Sequence, residues 1–152
     1  GMGEDCELLV KIHPLERNSW LSSFIQEVQK TYPFLRLVDA NIQALLCASD
    51  VCVCGYSTVV LEAMFFNTPS IIFAHRPLPE YVPFVSMGAA LGASNVEELE
   101  RALAALLDDT MQKRQVLANH AEFIEYATYR NDGRSTERLC HWLEQLVDRG
   151  SQ

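Results

Sequence analysis

The chain is 152 residues long, 49% hydrophobic and 21% charged, which excludes a disordered or low-complexity polypeptide. A chain of this length can bury about 70% of its unfolded surface, so a single domain over 4–149 is expected to be stable without disulfide or metal. Twelve basic against 20 acidic residues leave a net charge of −8, which argues against nucleic acid or an anionic membrane as the main partner and makes any anion site a local one.

Short apolar, β-branched runs alternate with amphipathic stretches, the pattern of a parallel sheet covered by helices. Leu8-Leu9-Val10-Lys11-Ile12 predicts a first strand, ended by His13-Pro14. Asn18 is expected to cap a helix to about Lys30, with Trp20, Leu21, Phe24, Ile25 and Val28 at helical spacing. Residues 35–38 predict a second strand, and Asn41 caps a short helix to about Ala48. The wholly apolar run 51–54 predicts a third strand, buried on both faces. Gly55-Tyr56-Ser57-Thr58 turns it into a helix over 59–66. A fourth strand, 70–74, follows Pro69. A proline-bearing loop with Pro77, Pro79 and Pro83 then leads to a short fifth strand at 89–91, and its length of about 14 residues marks it as a candidate binding loop. Three helices close the chain: 96–107, capped by Asn95 with Glu98 three residues on, then 111–126, and 135–147, which carries Leu139, Trp142, Leu143, Leu146 and Val147 on one face.

Some chemistries are disfavoured outright. Five cysteines (Cys6, Cys47, Cys52, Cys54, Cys140) form no CxxC pair and read as reduced core residues, with Cys52 and Cys54 on one side of a strand. No two of His13, His75, His120 and His141 stand at i, i+4, so no metal is expected. No apolar run reaches the roughly 18 residues of a membrane span and no secretion signal heads the chain, so a cytoplasmic location is expected. Gly1-Met2-Gly3 reads as the remnant of a cleaved tag.

Ligands of open α/β sheets sit at the carboxyl ends of the strands, where three clusters fall. The Gly55–Thr58 turn offers unpaired N–H groups, two hydroxyls and the positive end of a helix dipole, a setting for phosphate. Glu62, one turn into the same helix, reaches the vicinal hydroxyls of a ribose, and an unpartnered carboxylate on so apolar a helix is costly. The plainer reading makes Ser57 an ordinary helix cap and Glu62 an ordinary solvated helix residue. His13 ends the first strand on the same sheet edge, and capping the following turn is its plainer role. Tyr129-Arg130-Asn131-Asp132-Gly133-Arg134-Ser135 sets two arginines and a serine at a helix start, which suits either a phosphate site or a polar linker with an Asp-Gly turn.

Leu8-Leu9-Val10-Lys11-Ile12-His13-Pro14, then Ala48-Ser49-Asp50-Val51 leading into Gly55-Tyr56-Ser57-Thr58 and Leu61-Glu62-Ala63-Met64, then Tyr129-Arg130-Asn131-Asp132-Gly133-Arg134-Ser135-Thr136-Glu137-Arg138 resemble, in this order, the carboxy-terminal half of two-domain GT-B transferases. The nearest resemblance is to the CDP-glycerol glycerophosphotransferase and capsule-polysaccharide groups, with UDP-N-acetylglucosamine 2-epimerases as structural cousins. It implies a Rossmann-like three-layer α/β/α fold with a five-stranded parallel sheet of order 2-1-3-4-5, the run 8–12 pairing with 51–54. A second copy joined through open sheet edges is the alternative.

The resemblance further implies the half that binds a CDP- or UDP-linked donor, in an enzyme moving a sugar or glycerol phosphate to a cell-surface polymer. Glu62 would hold the ribose, Ser57 and Thr58 the diphosphate, and His13, the catalytic candidate, would stand beside the phosphates or the transferred group; Gly55, Arg130 and Arg134 join them as nucleotide- or phosphate-binding candidates. No cofactor or metal is implied beyond the donor. Family members usually carry Asp where Gly55 stands, or a Gly-Gly pair where Ser57-Thr58 stand, which leaves the base of the donor open. The acceptor domain belongs to an amino-terminal half, so this chain alone is expected not to turn over, and membrane contact, at the inner face, is expected only through a longer protein. The rival readings are half of a UDP-N-acetylglucosamine 2-epimerase-like enzyme and a non-catalytic nucleotide-binding module.

Overall fold

The computed structural model describes residues 6–16, 20–76 and 79–150. Its contacts group the chain into two compact units, Gly1–Leu45 and Leu46–Gln152.

In the first unit β1 (Leu8–Val10) and β2 (Leu35–Leu37) pair in parallel, Leu8 opposite Leu35 and Val10 opposite Leu37. Parallel neighbours need a crossover, and α1 (Trp20–Thr31) supplies it. Leu21, Ile25 and Val28 fall on one helical face, and Ile25 is buried against Ile12 and Leu35. Trp20 and Phe24 fall on the other side, 74% and 54% exposed, so they do not belong to the core stripe the spacing predicts. The Asn18 cap lies outside the described residues. Between β1 and α1, residues Pro14–Glu16 form a 3-10 turn in which the Glu16 N–H donates to the His13 carbonyl at 2.8 Å.

The division between the units falls within α2 (Ile42–Ala48), whose first turn is capped by the Asn41 side chain accepting from the Gln43 and Ala44 N–H groups. The second unit is built on β3 (Cys52–Cys54), β4 (Ser70–Phe73) and β5 (Leu91–Ala93), all parallel, with β4 in the middle. Successive β4 side chains point to opposite faces. Ile72 packs with Val60 and Met64 of α3 (Val59–Phe65), with Phe84, and with Phe123 of α5 (Met111–Thr128). Ile71 packs with Ala102 and Leu106 of α4 (Val96–Leu107) and with Val116 of α5. The sheet is thus covered on both faces, with α5 contributing to each, and the Phe84 and Phe123 rings stack at 4.9 Å between centroids. The buried Thr68 hydroxyl donates to the Leu46 carbonyl at 2.7 Å, tying the end of α2 to the approach to β4. The last helix, α6 (Ser135–Gly150), carries its apolar stripe exposed: Leu139, Trp142, Leu143, Leu146 and Val147 are each at least 44% accessible.

The five-stranded sheet of order 2-1-3-4-5 is not what forms. Two parallel sheets of two and three strands stand in its stead, and no ladder joins β1 to β3 among the described residues. Each strand takes its ladder partner inside its own unit: β1 pairs with β2 and packs Val10 beside Ile12, Ile25 and Leu35, leaving Leu8 41% exposed, while β3 pairs with β4. Among the described residues β3 pairs only with β4, and Val53 is 42% exposed in a run whose composition predicts burial on both faces. The fifth strand is also displaced, from 89–91 to Leu91–Ala93. Gly88 turns with φ +68°, and the Ala89 and Ala90 N–H groups both donate to the Phe84 carbonyl, at 2.9 and 3.0 Å, so neither joins a ladder.

All five thiols are free. Cys47 and Cys140 lie on the surface instead of in the core, because each falls on the solvent side of its helix. Cys52 and Cys54 do share one side of β3, and their thiols interact: the Cys54 thiol is pushed up by its hydrogen bond to Cys52 and by burial, while Cys52 is drawn down chiefly by that same bond.

Two features of this fold yield measurable consequences. A Cβ on Gly88 would lie 2.7 Å from Asn119 Nδ2, the atom that donates to the Gly88 carbonyl at 3.0 Å, whereas a Cβ on Gly133, also at positive φ, meets open space. Both substitutions to Ala incur about 1–2 kcal/mol of left-handed strain, and Gly88→Ala loses about 1 kcal/mol more with the hydrogen bond, an ordering that urea denaturation measures. His120 of α5 is 2% exposed, and neither ring nitrogen has a hydrogen-bond partner among the described residues. Burial holds its imidazole below the ordinary value. The unfolded chain therefore takes up a proton near pH 6.5 that the folded chain resists. Stability is level above that pH and falls below it, by at most about 1.4 kcal/mol per pH unit. Denaturation at pH 7.5 and 5.5 should show this loss in the wild type and a smaller one in His120→Phe.

Candidate functional site

Because β3, β4 and β5 are parallel, their carboxyl ends share one edge, and the chain leaves that edge at Gly55, Ala74 and Ser94. At the first exit the turn runs Gly55 to Thr58 into α3. Ser57 Oγ accepts from the Val59 N–H at 3.3 Å, a long capping bond, and the Ser57 carbonyl accepts from Val60. Thr58 has helical φ and ψ, and its side chain makes no capping bond. The N–H groups of Ser57 and Thr58 donate to no other group among the described residues, which leaves them for solvent or a ligand. Glu62, half-buried in the first turn of α3, has a carboxylate with no hydrogen bond or ion pair among the described residues.

The same edge holds a cleft of about 290 Å³ that no single motif announces. Tyr56 lines it from the β3 exit, Arg76 and Glu80 from the segment after β4, and Ser94 and Glu98 from the start of α4. Its two carboxylates are committed. Glu80 Oε1 accepts from the Val85 N–H at 2.6 Å and from the Ser86 N–H at 3.3 Å. Desolvation acts to raise the Glu80 carboxyl, but the Ser86 hydroxyl and these two N–H groups outweigh it and hold the group below its ordinary value. Glu98 Oε2 accepts from both the N–H and the hydroxyl of Ser94, each at 2.8 Å, while the Asn95 side chain accepts from the Glu98 N–H. Arg76 has no ion pair among the described residues.

The arginine cluster after α5 forms a separate group. Tyr129, at φ +61°, carries the Arg130 guanidinium 5.2 Å and the Arg138 guanidinium 5.9 Å from its ring centre. Arg138 bonds both Asp132 oxygens at 2.8 Å and also reaches the Arg130 carbonyl, while Arg134 pairs with Glu137 at 2.8 Å. Arg130 and Asp132 line a second cavity, of about 370 Å³, with Ile124, Thr128 and Tyr129. Arg130 and Arg134 thus stand on a cavity and a loop of their own and do not line the cleft at the strand ends. His13 belongs to the first unit, exposed at the end of the β1 segment. No group of three or more His, Cys, Asp or Glu that could hold a metal occurs among the described residues, and no helix among them is long and apolar enough to cross a membrane.

A family model described as CDP-Glycerol:Poly(glycerophosphate) glycerophosphotransferase matches residues 1–145. The chain belongs to that family. No curated protein and no solved structure matches. In this glycerophosphotransferase-family chain, a sequence reading finds the Gly55–Glu62 turn because strand, glycine, hydroxyls and carboxylate are contiguous. It misses Tyr56, Arg76 and Glu80 as a group, since only the parallel ladder brings their segments to one cleft. The one signal available was the long loop after β4, with a basic residue three positions beyond the strand.

The wall of this cleft depends on Glu80. Hydrogen bonds to a charged group contribute about 1.5–3 kcal/mol, so Glu80→Ala should accelerate amide exchange at Val85 by tenfold or more, and Glu80→Gln by less. Unchanged exchange in Glu80→Ala would show that the loop is held by other contacts.

Proposed function

We propose that this glycerophosphotransferase-family chain binds the nucleotide-activated donor, a CDP- or UDP-linked glycerol phosphate or sugar, at the carboxyl edge of the β3-β4-β5 sheet, for transfer to a cell-surface polymer. The observation that carries the reading is the turn from β3 into α3: two N–H groups without a protein acceptor at Ser57 and Thr58, and one turn later the uncommitted carboxylate of Glu62. N–H groups of this kind favour a diphosphate, and a carboxylate accepts from the paired hydroxyls of a ribose. Gly55 leaves the entry to the turn open, since a Cβ there would meet nothing within 4 Å. A polymer built from glycerophosphate needs an activated donor, and family membership supports CDP-glycerol as the first ligand to test. Arg130 and Arg134 are proposed as further phosphate contacts, from the residue types of their loop, and His13 as a neighbour of the transferred group, from resemblance; the reading stands on the second unit alone.

Calorimetry with CDP and UDP tests it. Wild-type protein should bind at least one of them, and Glu62→Ala should weaken binding about ten- to a hundredfold, the loss of hydrogen bonds to a charged group. Ser57→Ala should cost less, because its hydroxyl is partly committed to Val59. Equal affinity in wild type and Glu62→Ala removes the ribose assignment.

A further inference from the structure

We infer that Arg76 is a phosphate-binding residue of the cleft at the ends of β3, β4 and β5, facing the diphosphate of a nucleoside diphosphate; the inference rests on the donor-binding reading above and adds the cation that reading lacks. A diphosphate brings at least two negative charges to a chain whose net charge is −8, so neutral N–H groups alone work against the field of the whole protein. Local positive charge is required, and among the described residues lining the cleft only Arg76 carries it.

Three observations single this arginine out. It follows the carboxyl end of the central strand, β4, and lines the same cleft as Tyr56, whose next residues are Ser57 and Thr58 with their unengaged N–H groups. The two acidic residues of the cleft, Glu80 and Glu98, are satisfied by N–H and hydroxyl donors of Val85, Ser86 and Ser94. Arg76 pairs with neither, although both line its cleft. Arg114, Arg134 and Arg138 are engaged, with Asp109, Glu137 and Asp132, and Arg101, Arg130 and Arg149, which also show no ion pair among the described residues, do not line this cleft. A guanidinium left unpaired beside carboxylates that are locked elsewhere keeps its planar fork for an incoming phosphate, which it can hold by two parallel hydrogen bonds. Ala74, Gly92 and Ala93, all small residues, also line the cleft.

The test is calorimetry of the full chain with two probes, CDP and inorganic pyrophosphate, on wild type, Arg76→Ala, Arg76→Lys and, as a charge-matched control, Arg114→Gln. Arg76 is exposed, so thermal melting should be unchanged in its variants. Arg76→Ala should lose about ten- to a hundredfold in affinity for both probes alike, Arg76→Lys should recover part of it, and Arg114→Gln should stay within about twofold. Rising salt should weaken the wild type more steeply than Arg76→Ala. CDP binding that Arg76→Ala leaves intact, or weakens no more than Arg114→Gln does, overturns the Arg76 assignment while the donor reading stands. A loss for CDP with none for pyrophosphate also overturns it, because it puts the guanidinium on the nucleoside. Wild-type protein that binds neither CDP nor UDP overturns the donor reading, and the assignment with it.

Discussion

Everything proposed for this chain depends on the parallel pairing of β4 between β3 and β5. Parallel ladders force each connection to cross from one end of the sheet to the other, so all three strands discharge their chains at one edge. The pairing also buries β4: Ser70, Ile71 and Ile72 are each no more than 2% exposed, and Ile71 and Ile72 anchor the cores on the two faces. A rigid centre of this kind holds the Gly55–Thr58 turn, the segment after β4 and the start of α4 in fixed register. Local chemistry follows from that register, because no two of these three segments are neighbours in the sequence.

Charge is the second constraint. An acidic chain that takes an anionic ligand must concentrate its positive potential and keep its carboxylates away from the ligand. In the cleft both carboxylates are engaged by donors of the fold and leave Arg76 unpaired. Glu80 braces the Val85-Ser86 backbone and Glu98 closes the cap at Ser94, so both acids near Arg76 serve the fold. The arginine cluster after α5 is wired differently. There Asp132 bridges Arg138 and the Arg134 N–H, and two guanidinium groups flank the Tyr129 ring, an arrangement that first organises its own loop.

Much of the fold is legible in the sequence, and what is not has identifiable causes. The alternation of apolar runs and amphipathic helices yields the parallel strands, and Asn41 and Asn95 each cap a helix through the side-chain oxygen, as their positions predict. The continuity of the sheet is not legible. An apolar strand announces that it needs a partner, not which one, and β1 pairs with β2 and sends Val10 into the cluster of Ile12, Ile25 and Leu35. Ala89 and Ala90 read as strand because they are apolar, yet their N–H groups are captured by a carbonyl five and six residues back, a choice hydropathy does not record. In the site, Ser57, Thr58 and Glu62 are legible because they are contiguous with the strand that positions them. Arg76 is not, because its meaning lies in what Glu80 and Glu98 bind instead of it.

The most direct test of the central claim is a titration of isotope-labelled protein with CDP, read as backbone amide shifts. The account predicts saturable changes confined to three segments distant in sequence, around 55–62, 74–76 and 92–98, converging on the edge that β3, β4 and β5 share. Changes restricted to 129–135, or no saturable change at all, would contradict it.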